Sequence, residues 1–345
     1  MTIVAEGPSR LGWADFARGA AILCVVYFHA SLFLGVVGID HTLGRAKLAF
    51  ELFPLPAFFL IAGVFGARGI LDGSFRELAA KRLIPLAYIY ALWSLLRFAM
   101  FALFPALPSR DTDIPPGDPL SLVMLPVLPA SLYWFLYALA LFTLVVWALR
   151  RVPRWVLVAG SAVLSTLFTA GIVNTHTIAW NRIGALLFFF AIGVCFSREI
   201  VAAMRVSRPR HLAIALVAYA GIVVLLFMFR GAGRVPFVVL VGQCIGVAAL
   251  LMASKQLARV PALGFVSHSG RQSLPIYLVH ILVIPPIVLV LGALGAHGPA
   301  AMNIAIAIAV TAFAVVAGFG LAALATRAPW LLAPTLRVPA KAPAR

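Results

Sequence analysis

Charged residues are scarce in this sequence. Lys and Arg number 27 and Asp and Glu only 10 among 345 residues, so that 11% of the chain is charged. A soluble domain carries about 25% charged and about 45–50% apolar residues, whereas 63% of this chain is hydrophobic and its mean hydropathy is +1.08. These values exclude an ordinary soluble domain and predict a protein that crosses a membrane several times.

Cysteine is also scarce, with Cys24, Cys195 and Cys244 far apart in apolar segments. This spacing suits neither a disulfide nor a metal site, so no metal is expected and small apolar packing residues are the favoured interpretation. No repeat, direct or inverted, is visible, which disfavours many transporter folds. A cleavable signal is not expected either, because the first apolar run follows Asp15 and Arg18 and resembles an uncleaved first span.

Long apolar runs dominate the rest of the chain. Ten of them approach the ~20 residues that a bilayer crossing needs, and they predict an all-α bundle of about ten transmembrane helices. The segment 119–130 is too short and too rich in proline to cross, so it is expected to be re-entrant or interfacial. The predicted spans cover residues 16–37, 48–66, 83–104, 132–149, 155–172, 178–196, 211–229, 235–253, 272–294 and 300–324.

The basic residues follow the predicted loops. If the N-terminus is cytoplasmic, most Lys and Arg fall in inside loops, which is the positive-inside pattern. Anionic lipid headgroups then account for the net charge of +17, and no nucleic-acid partner is expected. Both termini are therefore predicted to be cytoplasmic. The predicted divisions are a cytoplasmic N-terminal segment at 1–15, a ten-helix membrane domain at 16–325 and a disordered cytoplasmic tail at 326–345.

One predicted outside loop, 105–131, is longer than a connector needs to be. It contains Asp111, Asp113 and Asp118 together with several prolines. Loops of this length without regular structure are often lids or binding loops. This loop is therefore expected to influence the choice of substrate.

Two ionisable residues lie in the first predicted span. Arg18 and His29 are 11 residues apart, which is about three turns, so they share a helix face about 16 Å apart along the axis. Asp15 can pair with Arg18 at i,i+3, and a snorkelling interfacial pair is an equal alternative. For His29 the alternative is a histidine packed between helices. Function is favoured because ionisable residues inside a membrane are functional by default.

Further polar residues are predicted to reach the outer half of the membrane and to form a cavity that binds the substrate. Glu51 could orient His29, as a carboxylate does for a general-base imidazole, and Arg97 could stabilise an oxyanion or bind an acidic acceptor. Trp134 and Arg182 have alternatives as an interfacial belt residue and a snorkelling side chain. Three more polar residues of the predicted cavity lie at i, i+4 and i+7 on one helix face. They are Ser273, Tyr277 and His280.

Five segments resemble, in the same order, motifs of the membrane-bound acyltransferase 3 family. The first, "DFARGAAILCVVYFHA" (15–30), resembles the D-x-x-R-G entry of the first helix, with an Arg separated by ten residues from a His. Each match alone is weak, but five in order are fairly specific. The others are "FFLIAGVF" (58–65), similar to FF-x-x-S-G-F; "KRLIP" (81–85), similar to a basic R-x-x-P entry; "YWFLYALALF" (133–142), similar to a W-F-L segment; and "SLPIYLVH" (273–280), similar to S-x-x-I-Y-L-x-H.

This resemblance implies a ten-helix enzyme of the cytoplasmic, or inner, membrane. Such enzymes move an acyl group, commonly acetyl, from a cytoplasmic donor to a hydroxyl of a carbohydrate or another envelope or exported acceptor. The essential histidine of the family corresponds to His29 and its motif arginine to Arg18. The sequence departs from the family at Ala62, which replaces a serine, and at Ala79, which replaces one of two arginines in the basic loop.

The same residues suggest how acyl-CoA would bind. An extended pantetheine arm spans on the order of the 16 Å of helix rise between Arg18 and His29, with the donor phosphates on Arg18, Lys81 and Arg82 at the inner mouth. His29 would act as general base or carry the acyl group itself. Two other classes stay open, namely a transporter or flippase of an envelope lipid or sugar, and a structural or sensory membrane protein.

Overall fold

The computed structural model describes residues 11–39, 47–109, 114–129, 132–229 and 231–334. Within these ranges every regular element is a helix, which confirms the predicted all-α membrane fold. Among the predicted features, Asp111, Asp113 and most of the two terminal segments lie outside the described residues. The cytoplasmic location of the termini stays a prediction.

Fifteen α-helices are found in the described part of the chain. A π-helical turn at Ala79–Leu83 connects the fourth to the fifth, and short 3-10 turns precede the twelfth and thirteenth and follow the last. The helices are α1 (Gly12–Val36), α2 (Lys47–Glu51), α3 (Pro54–Leu71), α4 (Phe75–Leu78), α5 (Ile84–Leu103), α6 (Leu120–Val123), α7 (Trp134–Ala148), α8 (Arg154–Thr169), α9 (Ile178–Cys195), α10 (Ser197–Val206), α11 (Pro209–Met228), α12 (Val238–Leu257), α13 (Gly264–Arg271), α14 (Ser273–Ala293) and α15 (Ala300–Ala325).

Eight helical stretches of the described chain are long and apolar enough to cross a membrane. Two further apolar helices, α7 and α8, have 15 and 16 residues, which is about 22 and 24 Å against a hydrocarbon core of about 30 Å. Each of the ten predicted spans thus corresponds to an apolar helix, but only eight have full spanning length. The eight are Gly12–Val36, Ala49–Leu71, Phe75–Leu103, Ile178–Cys195, Pro209–Met228, Val238–Leu257, Ser273–Ala293 and Ala300–Ala325.

Local sequence fixes several helix starts. α3 begins at Pro54, α11 begins at Pro209, and Pro153 directly precedes α8. Proline suits a first turn because its missing N–H would be unbonded there and its φ is already helical. At α4, Ser74 and Glu77 form a reciprocal capping box. These signals separate the long helices and allow the chain to reverse between them.

Glycine lets α1 and α3 approach their neighbouring helices closely. α1 packs against α3, α12, α13, α14 and α15. A Cβ at Gly19 of α1 would collide with the carbonyl oxygen of Val266 in α13. Where α3 crosses α9, a Cβ at Gly63 or Gly193 would collide with the backbone of the opposite helix. Small residues at such crossings let helix backbones pack tightly in membranes, so α1 and α3 have fixed positions.

The buried side chains form two clusters. One is centred on α3, α7 and α9 and includes Phe59 and Phe190. The other is centred on α1, α14 and α15 and includes Phe33 and Ile276. Phe135 packs against both clusters, so the start of α7 lies at their boundary. The cavity described below opens at that boundary.

The described parts of the long loop, residues 105–109 and 114–129, contain one helix, the short α6. The second of these parts is docked by three aromatic side chains from α5, α7 and α9. Tyr90, Tyr137 and Trp180 donate hydrogen bonds of 3.2, 3.0 and 3.0 Å to the carbonyls of residues 125, 126 and 127, respectively. The loop therefore has a defined position beside these helices.

The segment that follows α15 is also docked. The Tyr88 hydroxyl donates to the Trp330 carbonyl at 3.0 Å, and the Trp93 indole N–H donates to the Leu331 carbonyl at 2.9 Å. The sequence predicted a disordered tail from residue 326, but these two bonds hold the 3-10 turn at Pro329–Leu331 against α5. At the other end, α1 begins at Gly12 instead of residue 16.

Candidate active site

One face of α1 carries Arg18, Ile22, Val25 and His29, which follow one another at intervals of three or four residues. Arg18, Ile22 and Val25 line a cavity of about 290 Å³. His29 continues the same face one turn beyond Val25. Arg18 and His29 share this helix face as predicted, and the part of the face from Arg18 to Val25 forms a wall of the cavity.

Two guanidinium groups meet around Phe65 at the Arg18 end of this cavity. Arg18 lies 3.5 Å from the Asp15 carboxylate, and its Cζ is 5.0 Å from the centre of the Phe65 ring. The Arg82 Nη2 contacts the Phe65 carbonyl oxygen at 3.5 Å. Arg82 belongs to the π-helical turn between α4 and α5, where the neighbouring Lys81 is exposed. The three predicted phosphate-binding residues therefore lie in one region of the molecule.

The wall of the cavity is mostly apolar. Ala62 lines it at the position where the family motif has a serine. Besides Arg18, the polar lining residues are Ser273 and Tyr277, both on α14. Such a wall suits a slender, largely uncharged group because it offers few partners to a charged one. The other lining residues are Leu55, Phe58, Ile61, Leu86, Phe135, Leu136, Leu139 and Leu274.

His29 and His280 contact each other directly. Nδ1 of His29 is 3.0 Å from Nε2 of His280, and the two rings are stacked with centroids 5.1 Å apart. Nδ1 of His280 is 3.2 Å from the carbonyl oxygen of Ile276 in the preceding turn of α14. His280 is fully buried. The structure thus joins two predicted site residues that are 251 positions apart.

Two tyrosines hold the start of α7 against α14. The Tyr133 hydroxyl donates to the Leu278 carbonyl at 2.8 Å, and the Tyr277 hydroxyl donates to the Leu132 carbonyl at 3.0 Å. The ring of Tyr277 also lies 5.8 Å from that of His280. Since Tyr277 lines the cavity, it connects the cavity to the histidine pair.

Glu51 and Arg182 form a second polar pair. Their charged groups are 3.9 Å apart, and each side chain is about one third exposed at 35%. The sequence suggested that Glu51 orients His29, but the group at Nδ1 of His29 is His280. The catalytic role of Glu51 stays a prediction.

Arg97 and Trp134 occupy separate environments. Arg97 is only 5% exposed, and its Cζ lies 5.3 Å from the centre of the Phe101 ring. Trp134 begins α7, and the centre of its ring lies 6.4 Å from that of Phe59. Arg97 therefore lies over an aromatic ring of its own helix, whereas Trp134 belongs to the aromatic packing around Phe59.

Sequence reasoning assigned no role to three aromatic residues of the site, Phe65, Tyr133 and Phe135. Phe65 lies under Arg18 and beside Arg82, Tyr133 bonds to α14, and Phe135 lines the cavity. All three belong to segments quoted above for their family resemblance. The position of these residues in the family-like segments could have marked them as site residues. Their contacts could not be predicted, because they depend on how the helices pack in three dimensions.

The arrangement combines two guanidinium groups around Phe65, an apolar cavity and two stacked imidazoles, of which His280 is buried and His29 half-buried. Cationic side chains at the mouth can bind phosphate groups, and an imidazole can accept a proton or an acyl group. In the described ranges no cluster of three or more His, Cys, Asp or Glu side chains could hold a metal ion.

Comparison with known proteins gives one match. A family model described as "Acyltransferase domain" matches residues 11–323, which is nearly the whole chain. No curated protein and no solved structure matches the chain significantly.

Proposed function

The chain belongs to the membrane-bound acyltransferase 3 family, and on that premise we propose that it is a membrane O-acyltransferase. The donor is cytoplasmic acyl-CoA, with acetyl-CoA as the favoured donor. The acceptor is a hydroxyl of a carbohydrate or another envelope or exported molecule. The enzyme lies in the cytoplasmic membrane with its ten-helix domain at 16–325 and both chain ends inside, and no nucleic acid is involved.

The observation that carries this proposal is the continuous face of α1. Arg18, Ile22 and Val25 line the cavity, and His29 lies one turn beyond Val25 on the same face. The rise from Arg18 to His29 is about 16 Å, which is on the order of the length of an extended pantetheine arm. An acyl-CoA bound by its phosphates near Arg18 would therefore carry its thioester to His29.

The basic mouth supports binding of the donor. Arg18 and Arg82 both contact Phe65, and Lys81 lies in the same turn as Arg82. Guanidinium groups bind phosphate oxygens through paired N–H donors, and lysine adds a point charge. These three residues would hold the nucleotide end, while the apolar wall would surround the arm.

His29 would then perform the transfer. As a general base it takes the proton of the acceptor hydroxyl while the acceptor oxygen attacks the thioester carbonyl carbon. The C–S bond breaks, the new ester forms, and the CoA thiolate receives the proton from His29. In the alternative route the imidazole itself attacks, the C–S bond breaks and CoA leaves as the thiolate. The acceptor oxygen then takes the acyl group from the ring, and the proton of the acceptor hydroxyl passes through the imidazole to the CoA thiolate.

The remaining polar residues would bind the acceptor. The group comprises Arg97, Trp134, Arg182, Tyr277 and His280, with Glu51 assisting at the reacting centre. The ion pair between Glu51 and Arg182 supports placing these two residues together on the acceptor side of the site. A positive charge there would stabilise the oxyanion that forms when the thioester is attacked.

Membrane vesicles that contain the full chain and are incubated with radiolabelled acetyl-CoA test the proposal. We expect label to appear on a membrane or exported acceptor, or on the protein. His29→Ala should abolish labelling while the protein still inserts and purifies normally. Absence of labelling by the intact chain, together with movement of a sugar or lipid in liposomes without donor, would instead indicate a transporter.

A further inference from the structure

We propose that His280 is a positioning residue that fixes the tautomer of His29, so that the Nε2 atom of His29 carries the reactive lone pair. This inference rests on the proposed function. It goes beyond it because it gives His280 a role toward His29 in addition to its proposed role toward the acceptor. The inference follows from two distances along one chain of hydrogen bonds.

The chain begins at the backbone of α14. A carbonyl oxygen can only accept a hydrogen bond, so the contact of 3.2 Å between the Ile276 oxygen and His280 Nδ1 requires a proton on Nδ1. A neutral imidazole has one N–H group and one acceptor nitrogen. With Nδ1 protonated, His280 Nε2 is therefore the acceptor.

The second contact transfers this constraint to α1. His280 Nε2 lies 3.0 Å from His29 Nδ1, so the acceptor nitrogen of His280 requires that His29 Nδ1 carry the proton. In neutral His29 the Nε2 atom is then unprotonated. A general base and an acyl carrier both need that free lone pair. The carbonyl of Ile276 thus selects the reactive nitrogen of a residue on another helix.

The arrangement performs the function that a buried carboxylate performs in serine hydrolases. There the carboxylate accepts the Nδ1 proton of histidine and keeps the ring in the productive tautomer. Here the acceptor is a second imidazole, which is itself fixed by the main chain. When His29 takes a proton at Nε2 it becomes an imidazolium, and its Nδ1–H bond to His280 stabilises that form.

Burial and helix packing restrict the position of His280. Its side chain is fully buried, and α14 is tied to the start of α7 by the bonds of Tyr133 and Tyr277. Gly318 of α15 packs so closely on α14 that a Cβ there would collide with Ile276. A buried ring on a helix that is held at these points can orient its partner because it has little freedom of its own.

Two substitutions of His280 test the inference. His280→Leu removes the acceptor, whereas the amide oxygen of His280→Gln can reach the position of the imidazole Nε2. His268→Leu is the matched control, since the His268 ring packs on Phe319 in α15 at 4.8 Å and plays no part in this chain of bonds. The rate of CoA release from acetyl-CoA is measured for each full-length variant in membrane vesicles, with vesicles lacking the protein as background.

We expect His280→Leu to lower kcat by about 10²–10⁴-fold, which is the usual effect of losing general-base catalysis or its correct tautomer. The KM for acetyl-CoA should stay within about threefold, since donor contacts are unchanged. His280→Gln should recover kcat to within about tenfold of the wild type. His268→Leu should behave as the wild type. In the double variant with His29→Ala, His280→Leu should cause no further loss because both act through one imidazole.

Three results would overturn the inference while leaving the acyltransferase function intact. The first is wild-type kcat in His280→Leu. The second is failure of His280→Gln to recover activity although its yield and melting temperature match the wild type. The third is a change in KM alone, which would make His280 a binding residue. If the wild-type protein itself releases no CoA above background, the proposed function fails instead.

Discussion

Tyr133 and Tyr277 fasten the start of α7 to α14 by donating hydrogen bonds in opposite directions. Each hydroxyl reaches the main-chain carbonyl of the residue that neighbours the other tyrosine, at 2.8 and 3.0 Å, and their rings meet edge to face at 6.0 Å. The pair lies beside His280 on one side and the cavity on the other. The geometry of the candidate site therefore depends on these two bonds.

Removal of the Tyr133 hydroxyl should loosen this connection. Tyr133→Phe deletes a donor in a fully buried position, and a typical hydrogen bond contributes about 0.5–1.5 kcal/mol. We expect a lower melting temperature of the purified protein and a reduced kcat, since His280 follows the carbonyl that Tyr133 holds. Tyr137→Phe, which removes a bond from a half-exposed tyrosine to the docked loop, should have the smaller effect on kcat. Equal activity in both variants and the wild type would contradict this prediction.

The crossing of α3 and α9 should not tolerate a larger residue. Gly63→Val places side-chain atoms where the backbone of α9 lies, and Gly193→Val does the same toward α3. Either change should sharply reduce the yield of folded protein, because overpacking a closed contact costs about 1–3 kcal/mol or more. Gly160→Ala in α8 is the control, since its Cβ would meet nothing within 4 Å. That variant should be neutral or slightly stabilised, as measured by thermal unfolding in detergent.

The two arginines around Phe65 should control the affinity for the donor. Arg18→Ala and Arg82→Ala each remove a cation at the mouth, and hydrogen bonds to charged groups contribute about 1.5–3 kcal/mol. We therefore expect CoA to bind roughly ten- to a hundredfold more weakly, as measured by calorimetry with protein in nanodiscs. Arg154→Ala serves as a control, because Arg154 pairs with Glu199 at 2.7 Å and does not line the cavity. Unchanged affinity in the Arg18 variant would reject its assignment to the phosphates.

A larger side chain at residue 62 should obstruct the cavity. Ala62 lines it, so Ala62→Leu fills part of the space that the donor arm would occupy. We expect the KM for acetyl-CoA to rise and the melting temperature to change little. Ala220→Leu adds the same atoms to an exposed position on α11 and should leave KM unchanged. If both variants bind acetyl-CoA as the wild type does, the cavity is not the donor site.

Much of the fold could be predicted because its signals are local. Apolar length alone identified the ten segments that form apolar helices, and the interval of 11 residues placed Arg18 and His29 on one face of α1. Family motifs predicted a membrane acyltransferase, and the match to the family model confirms that class. The sequence could not reveal that α7 and α8 are shorter than a full crossing, because hydropathy does not fix where each helix ends.

The contacts between distant helices could not be predicted in this way. His29 and His280 lie on α1 and α14, and no periodicity within either segment states that the two helices are neighbours. For the same reason Glu51 was assigned to His29, although its charged partner in the structure is Arg182. Residues of the predicted site were identified from their chemistry, but their pairing depends on helix packing through glycines such as Gly19 and Gly63.

The docked turn after α15 has a practical consequence for anyone who shortens this protein. A chain that stopped at residue 325, where the last long helix ends, would lose the carbonyl oxygens of Trp330 and Leu331. The indole N–H of Trp93, which is almost completely buried, would then have no acceptor in an apolar setting, at a cost of about 1–3 kcal/mol. A chain shortened from its C-terminal end should therefore keep all residues up to Leu332, and a purification tag is best attached after that residue.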